Sequence, residues 1–229
     1  MKLFTIPYSG GNSYSYSQFR EYLPEDIELC NLELPGRGTR INEPLLYSAD
    51  EITEDLYCQI KNDLDEDYAI FGHSVGSLLA ATLSRHIANN GSKLPSVMFI
   101  SGLKAISQIK YDERYLLPDD AFINVLREMG GTPEELLADE SFMAFLLPIV
   151  RADFQVYASY KYMPSKPKLN IPMVILYGNQ EHISHYDAAL WQEETLSEFS
   201  IHQFEGKHFF IFEHTRDVCS LIAKKMLKM

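Results

Sequence analysis

The 229-residue chain has little cysteine, little basic charge and no long apolar run. Its three cysteines, Cys30, Cys58 and Cys219, are odd in number and far apart, so they form neither a CxxC pair nor a disulfide framework. Each sits in an apolar pattern and reads as a buried structural thiol. The set points to a reducing, cytoplasmic setting. The longest apolar run, Phe142 to Val150, has nine residues, well short of the ~18 needed to span a bilayer. No membrane association is expected. Residues 1–7 enter a strand-like pattern at once, which leaves no room for a signal peptide. Lysine and arginine total 20 against 32 acids, a net charge of −12. Nucleic-acid binders carry basic surfaces, so that partner class is disfavoured.

The remainder is ordinary for a soluble globular domain, with 46% apolar and 23% charged residues. The length suits a single domain, 1–229, with an insertion. The acid excess is concentrated in residues 43–67 and 112–140, both read as solvated helix faces.

Six short apolar stretches read as strands: Leu3–Ile6, Ile27–Leu32, Tyr68–Phe71, Val97–Ile100, Met173–Tyr177 and Ser200–Phe204. Helical patterns alternate with them. Ser48 and Glu51 form a capping-box pattern ahead of Ile52, Leu56, Ile60 and Leu64, which share one helix face. Val75 to Ala88 is rich in small residues, and Val218, Leu221, Ile222 and Met226 mark a last helix. Strands alternating with helices predict a mostly parallel sheet covered on both faces. From Leu103 to Lys168 the alternation stops. Helices are predicted to begin at Pro118-Asp119-Asp120 and, with Thr132 as N-cap, at Thr132-Pro133-Glu134-Glu135. A third is carried by Phe142 to Val150 and interrupted by Pro148. This insertion, 103–168, is expected to form a helical lid over the carboxyl edge of the sheet, where open α/β folds bind ligands.

Gly72-His73-Ser74-Val75-Gly76 matches G-x-S-x-G and lies between a buried strand and a helix, the setting a nucleophile elbow requires. Ser74 is the candidate nucleophile and needs a base within hydrogen-bond reach. His208, in Gly206-Lys207-His208 after the last strand, is the candidate. His214 competes but falls at the start of a helix, and His202 and His86 read as structural. His73, between the elbow's Gly72 and Ser74, reads as a packing or hydrogen-bonding residue. The acid that orients the base should follow the strand Met173–Tyr177. Glu181 is favoured there, with Asp187 as the alternative and Asp153 a poor third. The Val75 N–H and an N–H from Pro7-Tyr8-Ser9-Gly10-Gly11, taken as that of Ser9, would form the oxyanion hole. A metal reading of Glu181, His182 and His185 lacks a clear further ligand.

Pro7-Tyr8-Ser9-Gly10-Gly11, Leu34-Pro35-Gly36-Arg37-Gly38-Thr39-Arg40, the elbow, Met129-Gly130-Gly131-Thr132-Pro133 and Gly206-Lys207-His208-Phe209-Phe210 occur in that order. Together, over residues 3–225, they resemble the type II, external thioesterases of nonribosomal peptide and polyketide synthesis, which are α/β-hydrolases. The resemblance implies hydrolysis of acyl groups from the phosphopantetheine arm of carrier proteins, by a monomer and without metal or organic cofactor. It puts the family's serine on Ser74 and its histidine on His208. The family's acid, an aspartate, falls on Glu181, one methylene longer. Alternatives are a chain-releasing fatty acyl thioesterase, a small-molecule carboxylesterase and a non-catalytic binding protein on the same fold. A carrier is expected to dock on an apolar patch beside the lid entrance, with Arg37 or Arg40 assisting.

Overall fold

Residues 1–164 and 167–227 are described by a computed structural model. Residues 165–166 of the expected insertion, and 228–229, lie outside the described residues. The strands are β1 (Lys2–Ile6), β2 (Glu28–Asn31), β3 (Tyr68–His73), β4 (Val97–Ser101), β5 (Met173–Gly178) and β6 (Phe199–Phe204). They form one sheet in the order β2-β1-β3-β4-β5-β6, with every neighbouring pair parallel. The helices are α1 (Ala49–Ile60), α2 (Val75–Asn89), α3 (Asp119–Met129), α4 (Glu134–Leu137), α5 (Glu140–Ser159), α6 (His185–Ala189), α7 (Phe210–Glu213) and α8 (Thr215–Met226).

Side chains alternate across a strand, and both faces of this sheet are covered. Phe4, Ile6, Ile70, Met98, Ile100 and Ile175 point to α1 and α2, where Ile52, Leu56, Leu78 and Leu79 meet them. Leu3, Phe71, Phe99, Val174 and Leu176 point the other way, onto Phe19, Val218 and Ile222. Burial on both faces explains why these strands read as apolar runs. Each fully buried Leu, Ile or Phe contributes about 1.5–3 kcal/mol relative to exposure, so both layers are needed to hold the sheet.

The segment between β4 and β5 is helical, with α3, α4 and α5 packed around Phe122, Leu126, Leu147 and Phe154. Several local expectations need correction. α5 runs through Pro148 for 20 residues rather than being interrupted there. Proline removes one backbone donor, but Met143, Leu146, Leu147, Ile149 and Val150 are all buried, and that packing carries the helix across. α4 is capped by Pro133, not Thr132. Ser48 does accept the Glu51 N–H, but the Glu51 carboxylate receives the Ser48 hydroxyl instead of closing a full box. Of the three thiols only Cys219 is buried; Cys30 is partly buried and Cys58 exposed. Among the described residues no helix is long and apolar enough to cross a membrane.

The first turn of α2 lies against the ends of β1 and β3 with no room to spare. A Cβ on Gly76 would sit 2.4 Å from the Ile6 carbonyl oxygen, and one on Gly72 would sit 2.1 Å from the Gly76 carbonyl oxygen. Both obstacles are backbone and cannot rotate away. Gly76→Ala is therefore expected to lower stability by about 3 kcal/mol or more, at the upper end of overpacking costs. A urea titration checks this; a midpoint equal to the parent's would contradict the packing.

Candidate active site

In a parallel sheet all carboxyl ends share one edge, and four strands deliver residues there. β3 ends in the elbow. Ser74 has φ 56° and ψ −124° and is the one non-glycine with positive φ among the described residues. This conformation is costly for a side chain with a Cβ. It is held from below: Ser77 Oγ donates at 2.8 Å to the carbonyl oxygens of Gly72 and Ser101 and accepts the Ser101 N–H at 2.9 Å. The Ser74 N–H donates to the Ser101 carbonyl at 2.9 Å. Ser74 thus projects from the sheet edge at the amino end of α2.

The loops after β5 and β6 are bound to each other. Asn179 N–H donates to the Phe204 carbonyl at 2.8 Å, Gln180 N–H to the Gly206 carbonyl at 2.9 Å, and Gly206 N–H to Asn179 Oδ1 at 3.1 Å. Glu181 and His208 are joined across this seam, with His208 Nδ1 2.7 Å from Glu181 Oε2. The other Glu181 oxygen accepts the Gly178 N–H at 2.7 Å. The Glu181 side chain is only 4% exposed, so its carboxylate is fixed by both partners. A carboxylate on Nδ1 puts the ring proton there and leaves Nε2 as the acceptor. That Nε2 is buried and has no hydrogen-bond partner among the described residues.

Ser9, Ser74, Val75, Glu181 and His208 line one cleft of about 520 Å³. Lys104, Arg114 and Lys207 stand in its walls. A smaller apolar pocket of about 180 Å³ opens from the same Ser9, Ser74 and His208 and runs under α3–α5 between Leu126, Phe142, Leu146 and Val150. The N–H groups of Ser9 and Val75 have no acceptor among the described residues; for Val75 this is the ordinary condition of a first-turn amide.

The other candidates are engaged elsewhere. Asp187 closes a capping box with Ser184 at the start of α6 and lies 3.3 Å from Lys104. His214 bonds the Glu205 carbonyl. His185 opens α6, while His182 lines the cleft. Among the described residues no group of three or more His, Cys, Asp and Glu could hold a metal ion.

One feature escaped the sequence. Arg37 is not a docking residue: it is 3% exposed. It donates from both terminal nitrogens to the two oxygens of buried Asp153, each at 2.7 Å. Arg40 is likewise occupied by Asp55 and Glu43. Burial opposes the Arg37 charge, but Asp153 overrides it and raises the guanidinium above its ordinary range. Removing one member of such a pair strands the other, at about 3–5 kcal/mol. The available signal was Asp153 itself, an acid within the apolar stretch that runs from Phe142 to Phe154. A buried charge must find a partner. His73 is the packing and hydrogen-bonding residue expected of it. It is fully buried, its Nδ1 is 2.9 Å from Ser101 Oγ, and its ring centre is 4.8 Å from that of His208.

The model of the Thioesterase domain family matches residues 1–226. The chain belongs to that family. This thioesterase is 35% identical to the gramicidin S biosynthesis protein GrsT of Aneurinibacillus migulanus, covering 99% of this chain and 89% of that one. Its structure resembles that of ClbQ from the colibactin NRPS/PKS pathway, with a TM-score of 0.93 at 30% identity over 99% and 97% of the two chains. It also resembles the type II thioesterase BorB of the borrelidin biosynthetic cluster, with a TM-score of 0.90 at 29% identity over 98% and 92%. The thioesterase is a thioester hydrolase on the α/β-hydrolase fold, as the motifs implied.

Burial holds the His73 imidazole far below the ordinary histidine value of 6.5, with the neighbouring His208 adding to the effect. The unfolded chain therefore binds a proton below pH 6.5 that the folded thioesterase refuses, so stability falls as pH drops through that value. Burial also lowers His202, which adds in the same direction. The thermal midpoint is expected to fall between about pH 7 and pH 5, and less steeply in His73→Gln. A scan over that range tests it; an equal slope in the variant would show that His73 is not the source.

Proposed function

We propose that this thioesterase hydrolyses acyl groups from the phosphopantetheine arm of carrier domains, clearing stalled or incorrect acyl chains from a nonribosomal peptide or polyketide synthase. The observation that carries the reading is the fixed Glu181–His208 pair beside a strained Ser74, at the junction of a larger cleft with charged residues in its walls and a smaller apolar pocket. The cleft suits a thin polar arm, and the pocket suits a modest apolar acyl group.

In this reading His208 Nε2 takes the Ser74 proton as Oγ attacks the thioester carbonyl. The oxyanion is held by the N–H groups of Ser9 and Val75. Collapse expels the thiolate, which takes the proton from His208, and leaves an acyl-Ser74 ester. A water then gives its proton to His208 and attacks the ester. The acid departs, and the proton returns to Ser74. Glu181 holds the ring in the tautomer needed and stabilises the imidazolium. Glutamate serves because the Gly178 N–H and the β5–β6 seam fix where its longer side chain ends. No step requires a metal or an organic cofactor. The helices between β4 and β5 act as a lid that forms the acyl pocket. The proposed setting is a reducing cytoplasm, supported by the three unpaired thiols, and the proposed state is a monomer.

The test is hydrolysis of acyl-loaded carrier protein beside p-nitrophenyl esters. Ser74→Ala is expected to abolish release of acetyl from the carrier, and full activity in that variant would sink the mechanism. Glu181→Gln should lower kcat by about 10³–10⁴-fold, as expected for loss of the orienting carboxylate. EDTA should leave the rate unchanged. A clear preference for free esters would favour the carboxylesterase, and a strong preference for medium chains the fatty acyl enzyme. No labelling of Ser74 by a fluorophosphonate would favour a binding protein.

A further inference from the structure

We propose that Asp153, held by Arg37, is a positioning residue for the oxyanion hole: it fixes the Ser9–Gly10 peptide from the lid. This rests on the reading of Ser74 as nucleophile and Ser9 N–H as oxyanion donor.

The loop after β1 has no strand neighbour to hold it where it passes Ser74. Among the described residues its hydrogen bond to a lid side chain is made by the Gly10 N–H, which donates to Asp153 Oδ2 at 2.7 Å. The same oxygen accepts Arg37 Nη1 at 2.7 Å, and Oδ1 accepts Nη2 at 2.7 Å. Arg37 Nη1 also approaches the Gly11 carbonyl oxygen at 3.4 Å. The fork therefore grips the loop on both sides of Gly10, once through the carboxylate and once directly. Asp153 has three donors and is 1% exposed, so it has little freedom to follow the loop if the loop moves.

Packing supports the same contact. Gly10 has φ +77°, and a Cβ there would lie 2.9 Å from Val150 Cγ2 and 3.5 Å from Leu146 Cδ1. Leu146, Val150 and Asp153 follow one face of α5 at helical spacing. That face is pressed along the loop, apolar at its first two positions and ionic at the third. The Ser9 N–H belongs to the preceding peptide, whose Tyr8 carbonyl accepts the Gly11 N–H at 2.8 Å. Asp153 and Arg37 hold Gly10 and Gly11, the far side of that turn, so the turn and the Ser9 N–H in it are set before substrate arrives, as oxyanion stabilisation requires.

A single Asp153 truncation strands Arg37 and is at risk of unfolding, so the decisive variant removes both charges. Arg37→Met/Asp153→Leu keeps the volume and leaves no stranded ion, while the Gly10 N–H loses its acceptor. Asp153→Asn keeps one carbonyl oxygen for the competing donors. Glu194→Gln serves as control, since Glu194 is equally buried and paired with Arg85 away from the cleft. Each is assayed with the acetyl thioester of N-acetylcysteamine, for inhibition by phenylboronic acid, and for thermal midpoint.

The double variant should lose about tenfold or more in kcat, less than deletion of a donor outright, with KM changed by less than about threefold. Boronate inhibition, whose adduct puts a charged oxygen in the same hole, should weaken by a similar factor. Asp153→Asn should show a smaller loss of the same kind. Glu194→Gln should lower the thermal midpoint and keep the parent kcat. Parent kcat in either folded Asp153 variant, a loss confined to KM, or an equal kcat loss in Glu194→Gln overturns the proposal. Activity surviving in Ser74→Ala would instead overturn the reading beneath it.

Discussion

The close approach of α2 to the ends of β1 and β3 is the constraint on which the site depends. Two glycines permit it, with backbone atoms where any side chain would collide. The turn between strand and helix is then too tight for relaxed geometry, and Ser74 takes the strain. Such a conformation survives only when its surroundings over-determine it. Here Ser77 does so by bonding β3 to β4 beneath the turn. The direction of Ser74 is thus a property of the sheet, and the loops need only bring their groups to a point already fixed.

Those loops are secured by different means. The two that carry Glu181 and His208 are tied mainly through backbone, so the pair is insensitive to most side-chain changes nearby. The loop that carries Ser9 is tied through a buried ion pair, with residues contributed by three distant parts of the chain. An ion pair at this depth gains little net stability over apolar packing. It does impose directional contacts that apolar packing cannot. The molecule is strongly acidic, and the cleft walls hold Lys104, Arg114 and Lys207 beside Glu128 and Glu181, with Lys104 and Arg114 paired to Asp187 and Asp112.

The parallel sheet was legible because its inner strands, β1, β3, β4 and β5, are buried on both faces and read as short apolar runs, while the edge strand β6 shows alternation. The elbow, His208 and Glu181 were legible because each follows a strand, and chain order assigns strand ends to one edge. What stayed hidden was decided by tertiary contact. The continuation of α5 through Pro148 depends on the packing of the buried residues around it. The α4 cap lies at Pro133 because its carbonyl is the one that accepts the first helical N–H groups, those of Leu136 and Leu137. The Arg37–Asp153 pair spans 116 positions, beyond any local pattern. Cys58 lies on α1 beside apolar neighbours, but faces away from the sheet.

The face of α5 that bears Leu146, Val150 and Asp153 has a consequence for how such a protein can change. The first two residues line the smaller pocket, and the third belongs to the anchor of the Ser9 loop. On the proposed function, specificity and turnover are therefore written on one rigid rod. A substitution that widens the pocket by shifting the helix also shifts the anchor, so new substrates are reached at the expense of rate unless the widening is made by trimming side chains alone. Divergence among proteins built this way should run through the size of those two residues more readily than through the path of the helix.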